Sequence, residues 1–198
     1  MGVSVNLGSA VNQVIHATNL SLNLNSATTF ENVIGGSRND TLNGGDGNNT
    51  LTGGAGDDTL FGGLGDDTYV FGPASSAEAD SVVEGTNQGS DTLVFEALTT
   101  DVTLYLTKSI VQTVHTNRTL KLNSGSTFEN IIGGSGDDVL TGNSLNNVFL
   151  GNGGNDTLTG FAGRDMLVGG SGVDLFSGGN GDDILISGTF SYFDEVTQ

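Results

Sequence analysis

From Gly133 to Ile186 the chain reads GGSGDDVLT-GNSLNNVFL-GNGGNDTLT-GFAGRDMLV-GGSGVDLFS-GGNGDDILI, six nonapeptides that each open on glycine. Residues 35–70 hold four more, GGSRNDTLN-GGDGNNTLT-GGAGDDTLF-GGLGDDTYV. Ten tandem units in two unbroken registers mark a repeat architecture, so the fold is read from the unit outward.

The columns of the repeat differ in chemistry. Position one is always Gly, and position four is Gly except at Arg38 and Leu145. Position six is Asp40, Asn49, Asp58, Asp67, Asp138, Asn147, Asp156, Asp165, Asp174 and Asp183. Position eight is apolar throughout: Leu42, Leu51, Leu60, Tyr69, Leu140, Phe149, Leu158, Leu167, Phe176 and Leu185. Six residues dense in Gly, Asn and Asp favour a tight turn that exposes carbonyls. Three residues around one apolar side chain make a short strand with one inward group. Turn plus strand reverses direction, so two repeats form a coil of about 18 residues. Repeats n and n+2 then stack in parallel ladders around a thin apolar column. Position five mixes Asp57, Asp66, Asp137 and Asp182 with Asn39, Asn48, Arg164 and Val173, and reads as solvent-facing.

Composition narrows the function. Among 198 residues are 33 Gly, 17 Asp and one Pro, with no Cys or Trp. Glycine is not every third residue, which excludes collagen. With 23 acidic against 5 basic side chains and a charge of −18, a nucleic-acid binder held by phosphate contacts is excluded. No apolar run is long enough for a membrane span. The absent cysteines exclude disulfides and thiolate metal sites. With 35% apolar residues and 13 Phe and Tyr, something besides burial must hold the chain.

Stacking brings the position-six carboxylates of repeats n and n+2 together, a costly arrangement without cations. Calcium suits such a site, because it takes six to eight carboxylate and carbonyl oxygens, whereas Mg²⁺ demands strict octahedral geometry.

The pattern Gly-Gly-x-Gly-x-Asp-x-apolar-x resembles the repeats-in-toxin (RTX, hemolysin-type) calcium-binding nonapeptide family, whose arrays form calcium-loaded parallel β-rolls. Upstream, Thr28-Thr-Phe-Glu-Asn-Val-Ile-Gly-Gly36 and Ser126-Thr-Phe-Glu-Asn-Ile-Ile-Gly-Gly134 resemble the first turn of the roll in serralysin-type metalloproteases, where a Glu replaces the repeat Asp as calcium ligand. Register agrees: Glu31 lies nine residues before Asp40 and Glu129 nine before Asp138, so the arrays start at Ser26 and Ser124. The resemblance implies that carbonyls at positions two and four complete each shell. These are Thr29, Gly36, Gly45, Gly47, Gly54, Gly56, Gly63 and Gly65 in the first array. In the second they are Thr127, Gly134, Gly136, Asn152, Gly154, Gly163, Gly170, Gly172, Gly179 and Gly181. Arg38, Leu145, Asn143, Asn152 and Phe161 depart from glycine at those positions.

Up to eight n/n+2 pairs follow. Asp40 with Asp58, Asp138 with Asp156, Asp156 with Asp174 and Asp165 with Asp183 carry two carboxylates. Glu31 with Asn49, Asn49 with Asp67, Glu129 with Asn147 and Asn147 with Asp165 carry one and should bind more weakly. Eight divalent ions would take the formal charge from −18 to −2.

A longer duplication organises the rest. Val3–Leu7 aligns with Val102–Leu106 and Gln13–His16 with Gln112–His115 at an offset of 99; from Thr18 to Gly36 the offset is 98. The reading is all-β: two tandem cap-plus-roll units, calcium-dependent parallel β-solenoids. The first spans 1–72, with cap strands in 1–25 and roll in 26–70; 73–98 is a strand-containing connection. The second spans 99–198, with cap strands in 99–123, roll in 124–186 and a C-terminal cap in 187–198. In the connection, Asp80, Glu84 and Asp91 are further candidate ligands. His16 and His115 pack or face solvent. Position seven is Thr in the first array but Val139, Val148, Thr157, Met166, Leu175 and Ile184 in the second, which predicts an apolar stripe that docks on the other unit or another chain.

No catalytic motif is present, and the chain reads as a non-enzyme. The resemblance implies a chain that passes unfolded through one-step (type I) secretion and folds on calcium outside the cell or at its surface, which fits an N-terminus without signal-peptide features. As alternatives stand a self-assembling surface-layer or adhesin module and a carbohydrate-binding accessory module.

Overall fold

The structure, a computed structural model, describes residues 13–14, 21–23, 31–86, 88–125 and 127–188, with side chains from Asn32 onward. The described residues form nineteen strands and no helix. One face of the roll is a nine-stranded sheet in the order β1 (Gln13–Val14), β3 (Glu31–Ile34), β5 (Asn49–Thr52), β7 (Thr68–Val70), β9 (Thr92–Val94), β13 (Asn130–Ile132), β15 (Val148–Gly153), β17 (Met166–Ser171) and β19 (Ile184–Ile186). Every pair in it is parallel.

The other face is built from two sheets. A six-stranded one runs β11 (Val111–His115), β12 (Arg118–Leu122), β8 (Glu78–Val83), β6 (Thr59–Gly63), β4 (Thr41–Gly45), β2 (Ser21–Asn23). A four-stranded one runs β10 (Thr103–Tyr105), β14 (Val139–Thr141), β16 (Thr157–Ala162), β18 (Leu175–Asn180). Register follows the two-repeat coil: Leu42 pairs with Leu60, Leu51 with Tyr69, Leu140 with Leu158 and Phe149 with Leu167. In the repeats each strand turns one apolar side chain inward, whereas β8, β11 and β12, outside the repeats, bury two or three side chains each.

Those side chains make two columns. Val33, Leu51, Tyr69, Leu93, Ile131, Phe149 and Leu167 fill one; Leu42, Leu60, Val82 and Leu120, then Leu104, Leu140 and Leu158, fill the other. Each buried Leu or Phe stabilises by about 1.5–3 kcal/mol. Leu185, in the last coil, is 48% exposed.

The two arrays are joined in one stack. β8 pairs with both β6 and β12, and β9 with both β7 and β13, so the connection supplies coils of the same roll. The strands expected in 99–123 lie mid-stack: β12 continues the six-stranded sheet, and β10 opens the four-stranded one. The antiparallel hairpin β11–β12 closes off the first of these sheets. At the seam between them the Gln112 side chain accepts from the Tyr105 N–H and donates to the Tyr105 and Lys108 carbonyls, at 3.0, 3.0 and 3.2 Å. A side-chain amide thus gives β10 the hydrogen bonds a neighbouring strand would give.

The duplication does not impose identical pairing. Gln13 in β1 sits in a parallel ladder with β3, while its equivalent Gln112 sits in the antiparallel pair. Most of 1–25, including His16, and 189–198 lie outside the described residues.

The position-seven expectation needs correction. Alternate repeats lie on opposite faces, so Val148, Met166 and Ile184 belong to the nine-stranded sheet and Val139, Thr157 and Leu175 to the four-stranded one. There are two short apolar rows instead of one stripe.

Candidate metal centre

Turns between strands bring the position-six side chains into a column at each edge of the roll. Each lies one coil beyond the equivalent backbone N–H and accepts from it, buried as far as Asp165 and half-buried at Asp174 and Asp183 in the last coils. Asp40 N–H donates to Asp58 Oδ1, Asp138 N–H to Asp156 Oδ1 and Asn147 N–H to Asp165 Oδ1, all at 2.8 Å. Asn49 N–H reaches Asp67 Oδ1 at 2.7 Å. Asp156 N–H reaches Asp174, and Asp165 N–H reaches Asp183, at 3.0 Å. All these pairs are 18 residues apart, as the nonapeptide spacing predicts.

The second carboxylate oxygen behaves differently. Oδ2 of Asp58, Asp67, Asp156, Asp165 and Asp174 is buried and has no hydrogen-bond partner among the described residues. In Asp40 and Asp138 it accepts from the N–H of Gly36 and Gly134 at 2.6 and 2.8 Å. A Cβ on Gly53, Gly151, Gly160 or Gly169 would collide with the Oδ2 of its own repeat, which is why position one is glycine. Burial, the largest cause, raises the carboxyls: Asp58 to about 7, and Asp67, Asp138 and Asp156 to about 6, with acidic neighbours adding to it. An uncompensated column of buried oxygens, all hard donors, fits a hard divalent cation.

Most of the expected carbonyls lie on a left-handed backbone, with φ between 102 and 143° from Gly45 through Gly181. Asn152 and Phe161 adopt it too, at 71 and 82°, so their departure from glycine preserves the path of the turn. Gly36 and Gly45 carbonyls accept from Ala55 and Leu64 N–H at 3.1 and 2.8 Å, which leaves each a second lone pair. Asn143 takes over the role of a turn group by accepting from Leu145 N–H at 2.8 Å. Thr29 and the Glu31 side chain lie outside the described residues.

Glu129 occupies a position-six place, since its Oε2 accepts from Asp91 N–H at 2.9 Å. Asp80 and Asp91 do the same: Asp58 N–H donates to Asp80 Oδ1 at 3.0 Å and Asp67 N–H to Asp91 Oδ1 at 2.9 Å. Asp80 has a partner that the spacing did not indicate. Arg118, from β12, inserts its guanidinium between Glu78 and Asp80, pairs with both, donates to the Gly72 carbonyl at 3.1 Å and lies 5.3 Å from the Phe71 ring. The only signal was its rarity, as one of five basic residues.

Position five is exposed, with Asn48 half-buried, and forms an outer ladder of opposite polarity. Asp57 N–H donates to Asn39 Oδ1, Asp66 N–H to Asn48 Oδ1 and Asn155 N–H to Asp137 Oδ1, at 3.0, 2.8 and 2.7 Å. His115 Nε2 lies 2.5 Å from Thr100 Oγ1, an exposed contact apart from the ladder.

The RTX calcium-binding nonapeptide repeat matches the chain in four copies, over residues 34–69, 124–158, 141–176 and 159–191. Together they cover more than half of the sequence, and the second run begins at the degenerate coil that carries Glu129. No curated protein is significantly similar to the chain.

Proposed function

The chain belongs to the RTX calcium-binding nonapeptide repeat family, and from that premise we propose that it is a calcium-dependent folding and structural module of a secreted or cell-surface protein, with no catalysis of its own. The column of buried, unpartnered Oδ2 atoms carries this reading. Bound calcium supplies the positive charge that the column lacks, together with bonds to carboxylate and carbonyl oxygens. Asp58, Asp67, Asp156, Asp165 and Asp174 offer Oδ2 to it, while their Oδ1 atoms hold the neighbouring coil. Carbonyls at positions two and four complete the donor set.

Folding and binding are then one event. Stacked buried carboxylates repel, and strands with one inward side chain offset little chain entropy, so the metal-free chain is disfavoured as a roll. Ligand bound only by the folded state stabilises it by mass action. A chain of this kind suits export in an unfolded form and folding where calcium is abundant. Self-association through the last coils is the second reading, favoured by the exposure of Leu175 at 66% and Ile184 at 56%.

Circular dichroism during calcium titration tests the central claim. The strand signal should grow with calcium and fall on chelation; a signal indifferent to chelator overturns it. Sedimentation with Leu175→Ser and Ile184→Ser tests self-association, which an unchanged monomeric mass in both proteins would exclude.

A further inference from the structure

Where the first array meets the connection, Glu84, from outside the nonapeptide frame, joins two position-six carboxylates in a second kind of acidic site. Asp67, Glu84 and Asp91 bring one carboxylate oxygen each to within 4.8 Å of one another. The three residues are 1%, 3% and 1% exposed. Asp67 Oδ2 and Glu84 Oε2 have no hydrogen-bond partner among the described residues.

Glu84 holds the key place. The register that pairs Phe61 with Val83 sets Gly62 opposite Glu84, so a carboxylate stands where the glycine column of β4 and β6 would continue. A Cβ on Gly62 would strike Asp67 Oδ2, Glu84 Oε1 and the Tyr69 hydroxyl at once, which shows that these three atoms converge on one point. Tyr69 donates its hydroxyl to Glu84 Oε1 and leaves Oε2 available. Asn123 fixes the backbone of Glu84, accepting from its N–H at 2.9 Å and donating to its carbonyl at 2.6 Å. Asp67 and Asp91 meanwhile use Oδ1 to hold the N–H of Asn49 and Asp67.

The neighbouring coil shows what such a cluster requires. There Glu78 and Asp80 receive the Arg118 guanidinium, and Arg118 makes both ion pairs found among the described residues. Asp67, Glu84 and Asp91 receive none. Three buried carboxylates with a hydroxyl beside them are an all-oxygen donor set that selects a hard cation over a thiophilic or imidazole-seeking one.

We propose that Glu84 adds a third carboxylate to the position-six pair Asp67 and Asp91 and completes a calcium site with them, with Tyr69 as the positioning residue that orients Glu84. This deepens the reading of the roll as a calcium-binding module and rests on it. The site ties the last coil of the first array to the connection, where the nine-residue repeat is interrupted.

Terbium serves as the probe, since an excited tyrosine in contact with the site transfers energy to bound Tb³⁺. The full chain is titrated with Tb³⁺ alone under tyrosine excitation, and bound calcium is counted by native mass spectrometry. Tyrosine-sensitised emission should be strong in the parent, displaced by calcium, and mostly lost in Tyr69→Phe. Glu84→Gln, which keeps an acceptor for Tyr69, should bind one calcium fewer and lose the emission while the calcium-induced strand signal persists. Asp91→Asn, which keeps the Oδ1 acceptor, provides the same readout should Glu84→Gln fail to fold. An unchanged ion count in the variants, or emission that survives Tyr69→Phe, overturns the proposal and leaves the nonapeptide ladder standing. A parent chain that binds no calcium at all would instead remove the underlying reading.

Discussion

The backbone N–H of Asp40 donates to Oδ1 of Asp58 at 2.8 Å, joining residues 18 apart in the chain and one coil apart in the stack. One oxygen of Asp58 therefore does structural work that needs no metal, while the other is buried without a partner. Two substitutions separate these roles. Asp58→Asn keeps the acceptor and removes the buried charge; Asp58→Ala removes both and strands the Asp40 N–H, at a cost of about 1–3 kcal/mol. In chelator, the Asn variant should melt at or above the parent and the Ala variant below it. In calcium both should melt below the parent. Thermal melts under the two conditions check the order, and an Asn variant as unstable as Ala in chelator would remove the division of labour.

Proton uptake should mimic part of the effect of a cation. Burial, the largest cause, raises Glu84 to about 8, Asp58 and Asp91 to about 7, and Asp67, Asp138 and Asp156 to about 6 in the folded chain. Their ordinary values are 3.8 for Asp and 4.5 for Glu, so the folded state binds more protons. The resulting stability is fully present below about pH 4 and is lost as pH rises through the folded values towards 8. Around Glu84 the facing groups are Tyr69, Asp67 and Asp91, with Glu129 beyond Asp91, and none of them is a cation. In chelator the melting temperature should therefore rise on acidification from pH 8 to 5. Calcium affinity should move the other way, because the ligands must be deprotonated. A chelated chain that grows more stable towards pH 8 would contradict the burial of these acids.

What the sequence disclosed depended on where the period of nine holds. Leu42 above Leu60 and Asp138 above Asp156 follow from counting, because each coil there has a fixed length. Asp80 and Asp91 occupy the same structural place as Asp58 and Asp67 but lie 22 and 24 residues further on, and the next step, to Glu129, spans 38. Counting fails once a coil is enlarged, since any insertion that bulges at the turn leaves the ladder intact. Gln112 and Arg118 were illegible for another reason. Their roles depend on which strands the hairpin β11–β12 lies beside, and pairing partners far apart in sequence leave no periodic trace. The split of the position-seven residues between two faces was, by contrast, contained in the two-repeat coil itself.

Arg118 is the roll's built-in cation, and removing it should raise the demand for calcium. Arg118→Met leaves Glu78 and Asp80, 5% and 3% exposed, without a countercharge. Breaking a buried pair in this way costs about 3–5 kcal/mol. In chelator the variant should lose most of its strand signal, and calcium should recover part of it. Adding Glu78→Gln and Asp80→Asn to the Met variant should restore stability in chelator, since no unpaired charge then remains. Arg118→Lys should fall between parent and Met, because an ammonium cannot pair with both acids in the planar arrangement. Melts of the set, with and without calcium, read this directly; a Met variant as stable as the parent in chelator would deny Arg118 its role.

Phe161 points to an improvement that the fold has not made. It holds φ at 82° in a place where its pairing partner Gly179 sits at 103°, and it is 50% exposed. The turn demands a left-handed backbone, which costs an L-residue about 1–2 kcal/mol and a bulky one more than Asn. Half of the ring's surface gains nothing from burial to offset that cost. Phe161→Gly should therefore stabilise the calcium-loaded roll by about 1 kcal/mol, a rise in melting temperature of about 2–4 °C for a chain of this size. Asn152→Gly, relieving φ of 71° at an Asn, should give less, because Asn tolerates this region. The carbonyl path is common to Phe and Gly, so calcium stoichiometry should not change. A Phe161→Gly variant that melts lower than the parent would mean that the exposed ring contributes more by contact than its backbone costs, and crosslinking from position 161 would then identify what it touches.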